Sequence, residues 1–212
     1  VCSSDLLPAA ISLGIRAAVR YTGGPTARFL STDLPGGASV DLDGEVRFDR
    51  RDDWGNYPKG VVACLLREGH EVPGCEVLFS GDLPVGAGLS SSAALEVLTG
   101  YLLLHLSQGD SIDRVALARA CQRAENEFVG VVCGIMDQFT VTMGKKESVI
   151  LLDCSTLRHR YVPARLDGFR LLIVDTGKRR RLDGSKFNRR RAECEAALGM
   201  IKISEEHTYE LQ

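Results

Sequence analysis

The feature that most constrains this chain is a segment rich in glycine and serine, which reads Pro84-Val85-Gly86-Ala87-Gly88-Leu89-Ser90-Ser91-Ser92-Ala93-Ala94. It lies between an alternating apolar run typical of a strand and a run with helical spacing. Glycine leaves the backbone open to an approaching ligand, and the first amides of a helix have no acceptors within the helix. Because the helix dipole is positive at that end, the segment predicts a strand–loop–helix unit that can hold phosphate.

Two common nucleotide-binding motifs do not describe this segment. A phosphate loop of the usual kind ends in Gly-Lys-Ser or Gly-Lys-Thr, and no lysine lies near here. The dinucleotide spacing Gly-x-Gly-x-x-Gly is also missing from the segment. A glycine turn before a serine-capped helix occurs in proteins that bind nothing as well, so the pattern alone leaves both interpretations open.

Composition and charge place the chain among ordinary globular proteins. It has 212 residues, 44% of them hydrophobic and 25% charged, with a formal net charge of −2. This length allows one domain with a real core, or one domain and part of another. Basic residues cluster at 178–181 and 189–191, which we interpret as solvated helix faces. We therefore expect neither nucleic acid nor a membrane as partner.

Cysteine and histidine usage argues against a disulfide framework and against a zinc site. The seven cysteines form no Cys-x-x-Cys pair, and the four histidines are scattered along the chain. Several cysteines, such as Cys64 and Cys121, lie in apolar runs. Reduced thiols of this kind are typical of a cytoplasmic protein, and we expect that location.

Hydrophobic periodicity predicts a mixture of strands and helices. Alternation predicts strands over 11–19, 39–49, 75–79, 148–153, 158–162 and 169–175, with a hairpin turn at Asp43-Gly44 in the second of them. Helical spacing predicts helices over 54–68, 90–106, 112–128 and 185–203, and a further one that begins near Ile135. Gly69 is placed to end the first helix, and Ser111 to cap the third. Hairpins followed by helices favour an α+β layout.

Four segments, in a fixed order, carry a resemblance to a known family. The glycine–serine loop resembles the ATP-binding signature of the GHMP kinases, and three more segments resemble the galactokinases among them. These three are Trp54-Gly55-Asn56-Tyr57-Pro58-Lys59-Gly60-Val61, Cys133-Gly134-Ile135-Met136-Asp137-Gln138-Phe139 and Asn188-Arg189-Arg190-Arg191-Ala192-Glu193-Cys194-Glu195. The resemblance runs from about Leu7 to Ile203.

The resemblance implies an α+β fold with two parts. Residues 7–167 would form the GHMP-kinase N-terminal domain, which has a ribosomal protein S5 domain 2-like fold and binds ATP. Residues 168–212 would be the beginning of a ferredoxin-like C-terminal domain. Residues 1–6 match nothing in the family and read like a translated sequencing adaptor, so we expect them to be a non-native artefact joined to a chain truncated at both ends.

The activity implied is that of a galactokinase, which transfers the γ-phosphate of ATP to the C1 hydroxyl of galactose with Mg²⁺ as cofactor. The resemblance assigns ATP binding to Trp54, Tyr57, Gly86, Ala87, Gly88, Leu89, Ser90, Ser91 and Ser92. Ser92 and Glu125 would hold the metal. Asp137 would be the catalytic carboxylate, and the resemblance assigns galactose binding to Asp137, Gly134 and Phe187.

The residues alone allow simpler roles for each candidate. Ser92 could be a helix-capping hydroxyl, and Glu125 could be a carboxylate on a helix surface, paired with Arg123 or a neighbour. Asp137 could be an acidic residue favoured in the first turn of a helix. Trp54 and Tyr57 could be core residues.

Two departures from the family pattern bear on activity. The family's opening motif Arg-x-Asn-Leu-Ile-Gly-Glu-His-Thr-Asp-Tyr, which supplies an arginine and most sugar contacts, is absent from this sequence. Phe187 stands where the family has a tyrosine, and phenylalanine offers no hydroxyl to a sugar. We therefore expect little activity from the chain as given. The alternatives are another GHMP-type sugar or small-alcohol kinase and a non-catalytic sugar sensor, against which the unaltered serines and Asp137 argue.

Overall fold

The structure is a computed structural model that describes residues 5–175, 177 and 185–209. Within these residues, seven strands form two separate sheets. The strands are β1 (Asp5–Leu6), β2 (Ile15–Tyr21), β3 (Thr26–Ser31), β4 (Gly37–Asp41), β5 (Cys75–Gly81), β6 (Ser148–Asp153) and β7 (His159–Pro163). Sheets and helices mix along the chain, which confirms the predicted α+β class.

The larger sheet has the strand order β2-β5-β3-β4, in which β3 and β5 run parallel and the other pairs are antiparallel. The predicted hairpin over 39–49 is wrong, because β4 ends at Asp41 and pairs with β3 instead. The Asp41 carboxylate accepts the amide of Asp43 at 3.1 Å, which closes a turn from which no strand returns. Strand β3 itself was not predicted. The smaller sheet has the order β1-β6-β7 and is antiparallel.

Five α-helices, one 3₁₀ turn and one π-helical segment complete the described part of the chain. They are a 3₁₀ turn (Arg50–Gly55), α1 (Asn56–Arg67), α2 (Ser91–Gln108), α3 (Arg114–Arg123), a π-helical segment (Ala124–Val129), α4 (Met136–Met143) and α5 (Ser185–Tyr209). Gly69 follows α1 with φ +82°, as the sequence predicted for a helix stop. The predicted cap at Ser111 is wrong, since Asp113 caps α3 by accepting the amides of Val115 and Ala116.

Two hydrophobic clusters hold α2 and α4 in place. The first lies between the larger sheet and helices α1 and α2, where Phe29 stacks on Phe79 and Trp54 meets Phe79 edge-on. The second is centred on Phe139 of α4, which is fully buried with residues of α3 and β6. This second cluster fixes the orientation of α4 and of the polar residues in its first turn.

The predicted strand over 169–175 is wrong, because the structure forms no strand there. Its apolar side chains are exposed, with Phe169 at 75% and Leu172 at 82%. An alternating segment becomes a strand when its backbone pairs with a neighbour, and no strand of the described residues pairs with this one. Within the described residues, no helix has the length and apolar character needed to cross a membrane.

We predict that Phe139→Ala destabilises the protein by about 3–5 kcal/mol, because it removes a fully buried ring from the second cluster. Val141→Ala, on the same helix but 39% exposed, is the matched control and should cost less than about 1 kcal/mol. Denaturant unfolding of both variants measures the difference. Equal losses would show that α4 is not anchored through this ring.

Candidate active site

A cavity of about 790 Å³ lies between the glycine–serine loop, the first turn of α4 and the segment 6–15. Gly88, Leu89 and Ser90 line it on one side, and Asp137 lines it as well. The rest of the wall is largely apolar and includes Leu13, Leu83, Val97, Leu98, Met136 and Val141. The structure therefore brings the predicted phosphate loop and the predicted catalytic carboxylate to one cavity.

The loop has an unusual backbone, with positive φ at every second residue. Gly86 has φ 74°, Gly88 has φ 81° and Ser90 has φ 56°, whereas the residues between them stay outside the positive region. Alternation of this kind turns successive amides toward one side and makes an anion-binding concavity. A side chain built at Gly88 would meet no atom within 4 Å, so the loop faces open space there.

The first amides of α2 are free of side-chain caps. Ser90 is the N-cap residue, but its hydroxyl makes no capping hydrogen bond, and no acidic side chain lies in the first turn. The amides of Gly88 and Leu89 also have no acceptor among the described residues. Unpaired amides at the positive end of an 18-residue helix are suited to an anion.

Asp137 lies in the first turn of α4, and its carboxylate has no hydrogen-bonding or ion-pairing partner among the described residues. The Asp137 carboxylate is therefore a hydrogen-bond acceptor at the positive end of a helix dipole. A ligand in the cavity would thus meet free amides at the loop and a free carboxylate at Asp137.

Ser92 lies near Glu125, since its hydroxyl is one of the groups that lower the pKa of the Glu125 carboxyl. Glu125 is 3% exposed, so its interpretation as a surface partner of Arg123 is wrong. Arg123 pairs with Glu68 instead. Burial raises the pKa of Glu125 and the charge of Asp137 raises it further, whereas the nearby Cys133, Ser92 and Gln138 side chains lower it.

This pair of oxygen donors suits magnesium. Mg²⁺ prefers oxygen ligands, and in phosphoryl-transfer sites it takes one or two from the protein and the others from water and phosphate. Among the described residues, no three side chains of His, Cys, Asp or Glu could hold a metal together.

Three further polar residues surround Glu125 and were missed by the sequence reasoning. Gln138 donates to Glu125 and to Glu96, and the thiol of Cys133 donates to Glu125. Glu96 lies four residues after Ser92 in an apolar helical run, which was the available signal. A charged residue at an apolar helical position is uncommon unless it has a buried partner.

The two predicted adenine neighbours lie outside the cavity wall. Trp54 is 8% exposed, and its indole N–H donates to the carbonyl of Pro35 at 3.0 Å, so it is a core residue with a satisfied donor. Tyr57 is half-buried. Burial and the nearby charges of Glu125 and Glu96 raise the pKa of its hydroxyl well above the usual range, so Tyr57 lies beside the buried carboxylates.

The predicted sugar-binding residues fall on two connected segments. Gly134 is in the loop before α4, where Asn126 accepts the amide of Cys133 at 2.7 Å. Asn188 of α5 accepts the amide of Val132 and donates to the carbonyl of Gly130, both at 3.0 Å, which ties α5 to this loop. Phe187 is on α5, and its side chain is outside the described residues.

Comparison with known proteins gives a consistent result. Residues 56–145 match the model of the GHMP kinases N terminal domain. A galactokinase of Clostridium tetani is 42% identical over 204 residues, which is 96% of this chain and 52% of that protein. A galactokinase of Halalkalibacterium halodurans is 50% identical over 158 residues, 74% of this chain and 40% of that protein.

Solved structures agree with the sequence matches. Lactococcus lactis galactokinase complexed with galactose superposes with a TM-score of 0.84 at 34% identity, covering 96% of this chain and 53% of that one. A D-glycero-D-manno-heptose 1-phosphate kinase from Bacteriodes thetaiotaomicron, at 16% identity and a TM-score of 0.59, shares the fold.

The chain spans about half the length of the galactokinases it matches. Over that half, the match covers the glycine–serine loop, the buried carboxylates of Glu96 and Glu125, and the helix that carries Asp137. Sequence identity, family model and fold all agree: the chain is similar to the galactokinases, which are GHMP kinases, over about half of their length.

Proposed function

We propose that the protein containing this chain is an ATP-dependent galactokinase, which transfers the γ-phosphate of ATP to the C1 hydroxyl of galactose. The observation that carries the proposal is the single cavity lined by both the uncapped start of α2 and the carboxylate of Asp137. Phosphoryl transfer needs an anion cradle and a positioned hydroxyl next to each other. The galactokinases to which the chain is similar supply the choice of sugar.

In this proposal, the amides and glycines of residues 86–92 bind the phosphates of ATP. Ser92 and Glu125 hold Mg²⁺, which offsets the charge of the phosphate oxygens when it is bound. The influence of the Ser92 hydroxyl on the pKa of Glu125 supports this assignment, because it places the two oxygen donors near one another. Trp54 and Tyr57 are the proposed neighbours of adenine, and Tyr57 is the less buried of the two.

Asp137 is the proposed binding partner of the reacting sugar hydroxyl. A free carboxylate on the cavity wall accepts a hydrogen bond from the attacking hydroxyl and takes its proton. The sugar oxygen bonds to the γ-phosphorus as the bond from that phosphorus to the bridging oxygen breaks, and ADP leaves. Gly134 and Phe187 are proposed to contact galactose from the loop before α4 and from α5. The hydrogen bonds of Asn188 support this grouping, since they hold α5 against that loop.

The domain assignment is also a proposal. Residues 7–167 form the N-terminal domain, which is supported by the family match over 56–145, and 168–212 begin the C-terminal domain. The exposed apolar run that starts at Phe169 supports a boundary there. We propose residues 1–6 as non-native. Of these, Asp5–Leu6 pair with β6 through backbone groups that any sequence supplies.

We further propose a cytoplasmic location. Six cysteines of the described residues are free, as reducing compartments favour.

We predict that Asp137→Asn, made in the complete protein that contains this chain, lowers kcat by about 100-fold or more, because the amide accepts no proton. Asp167→Asn is the control, since Asp167 is an exposed carboxylate away from the cavity lining. Formation of galactose 1-phosphate from ATP measures both variants, with a panel of hexoses for the unaltered protein. A wild-type rate for Asp137→Asn, or no preference for galactose, would contradict the proposal.

We predict that Gly88→Ala weakens MgADP binding by about tenfold, because a methyl group at this loop blocks the approach of phosphate to the amides. Gly109→Ala is a matched control at the other end of α2, with φ +70° against +81° and the same open surroundings. Each change should cost about 1–3 kcal/mol of folding stability through backbone strain, since both glycines have positive φ and Gly109 also has ψ −141°. Calorimetric titration separates them, and equal affinities would exclude the loop as the phosphate site.

A further inference from the structure

A buried side-chain bridge links two carboxylates behind the proposed metal site. Gln138 and Glu96 are fully buried, and Glu125 is 3% exposed. The Gln138 amide nitrogen lies 3.0 Å from Glu96 Oε2 and 2.6 Å from Glu125 Oε2. An amide nitrogen carries two hydrogens, so it donates one to each carboxylate.

The orientation of the Gln138 amide depends on these two bonds. Its own oxygen, Oε1, has no partner among the described residues, and neither has Oε1 of Glu96. Leaving buried oxygens unpaired costs stability, and apolar side chains of similar size would avoid that cost. Folding stability therefore does not explain why Gln138 and Glu96 are buried here, whereas a role at the proposed metal site would explain it.

The bridge closes a ring around the site. Ser92 and Glu96 are one turn apart on the same face of α2, and Ser92 lies near Glu125, whose pKa it helps to lower. Gln138 directly follows Asp137 on α4. The network thus joins α2, the π-helical segment and α4, which carry all the proposed metal and catalytic side chains.

Within this ring, Oε2 of Glu125 accepts two donors. Gln138 donates at 2.6 Å, and the thiol of Cys133 donates at 3.3 Å. Two donors on one oxygen fix the plane of the carboxylate and leave Oε1 as the oxygen for a cation. Groups that hold a metal ligand in this way typically change metal affinity by 10- to 100-fold when they are removed.

We propose that Glu96 is a positioning residue, which holds the Gln138 amide so that Glu125 is oriented to bind the metal. Glu96 touches neither metal nor substrate in this account, and its effect passes through Gln138. The inference rests on the proposed function, since it concerns the metal site of the kinase.

The test compares Glu96→Leu, which removes the acceptor, with Glu96→Gln, which keeps an acceptor oxygen at nearly the same size. Both variants are made in the complete protein. The dissociation constant of Mn²⁺ in the presence of ADP is measured by electron paramagnetic resonance, and the Mg²⁺ concentration for half-maximal activity is measured alongside. We expect Glu96→Leu to weaken Mn²⁺ binding by about tenfold or more, and Glu96→Gln to stay within about twofold of the unaltered protein.

Gln138→Met breaks the bridge from its other end and should weaken Mn²⁺ binding to a similar extent, which keeps the test decisive if Glu96→Leu does not fold. Unaltered Mn²⁺ affinity in folded Glu96→Leu or Gln138→Met would overturn the positioning role while leaving the kinase proposal intact. Equal weakening by Glu96→Gln and Glu96→Leu would also overturn it. Failure of the unaltered protein to bind Mn²⁺ with ADP would overturn both proposals.

Discussion

The backbone at the start of α2 is the constraint on which the site depends. Residues 86, 88 and 90 have positive φ, Gly88, Leu89 and Ser90 line the cavity, and the amides of Gly88 and Leu89 have no acceptor among the described residues. The far side of α2 cannot shift to relieve this, because its apolar face is part of the main core. A Cβ at Gly100 would lie 2.5 Å from Leu117 of α3, so the helices are also in close contact there. A rigid helix whose first amides have no side-chain cap is suited to binding an anionic ligand.

The opposite wall of the cavity, at the start of α4, is also held by packing, but it carries a carboxylate acceptor instead of amide donors. Phe139 anchors α4 in the second core cluster, and Gln138 anchors it to the buried carboxylates. Asp137, between the cavity and these anchors, keeps its carboxylate free. A cradle for phosphate and an acceptor for a hydroxyl proton thus lie on two fixed elements, which is the preorganisation that phosphoryl transfer requires.

Local sequence patterns predicted the elements whose signals are local. The glycine–serine loop, the helix after it and the helix that begins near Asp137 follow from spacing and from helix-start chemistry. The burial of Glu96 and its link to Gln138 could not be predicted this way, because the two are 42 positions apart and meet only through packing. The predicted strand over 169–175 failed for a related reason, since alternation shows that a segment could pair but not whether a partner is present.

The most direct test of this account is a crystal structure of the complete protein with magnesium, a non-hydrolysable ATP analogue and galactose. We expect phosphate oxygens within hydrogen-bonding distance of the amides of residues 86–92, the metal held by Ser92 and Glu125, and the sugar C1 hydroxyl at the Asp137 carboxylate. Phosphates bound away from the start of α2, or a sugar that does not reach Asp137, would contradict it.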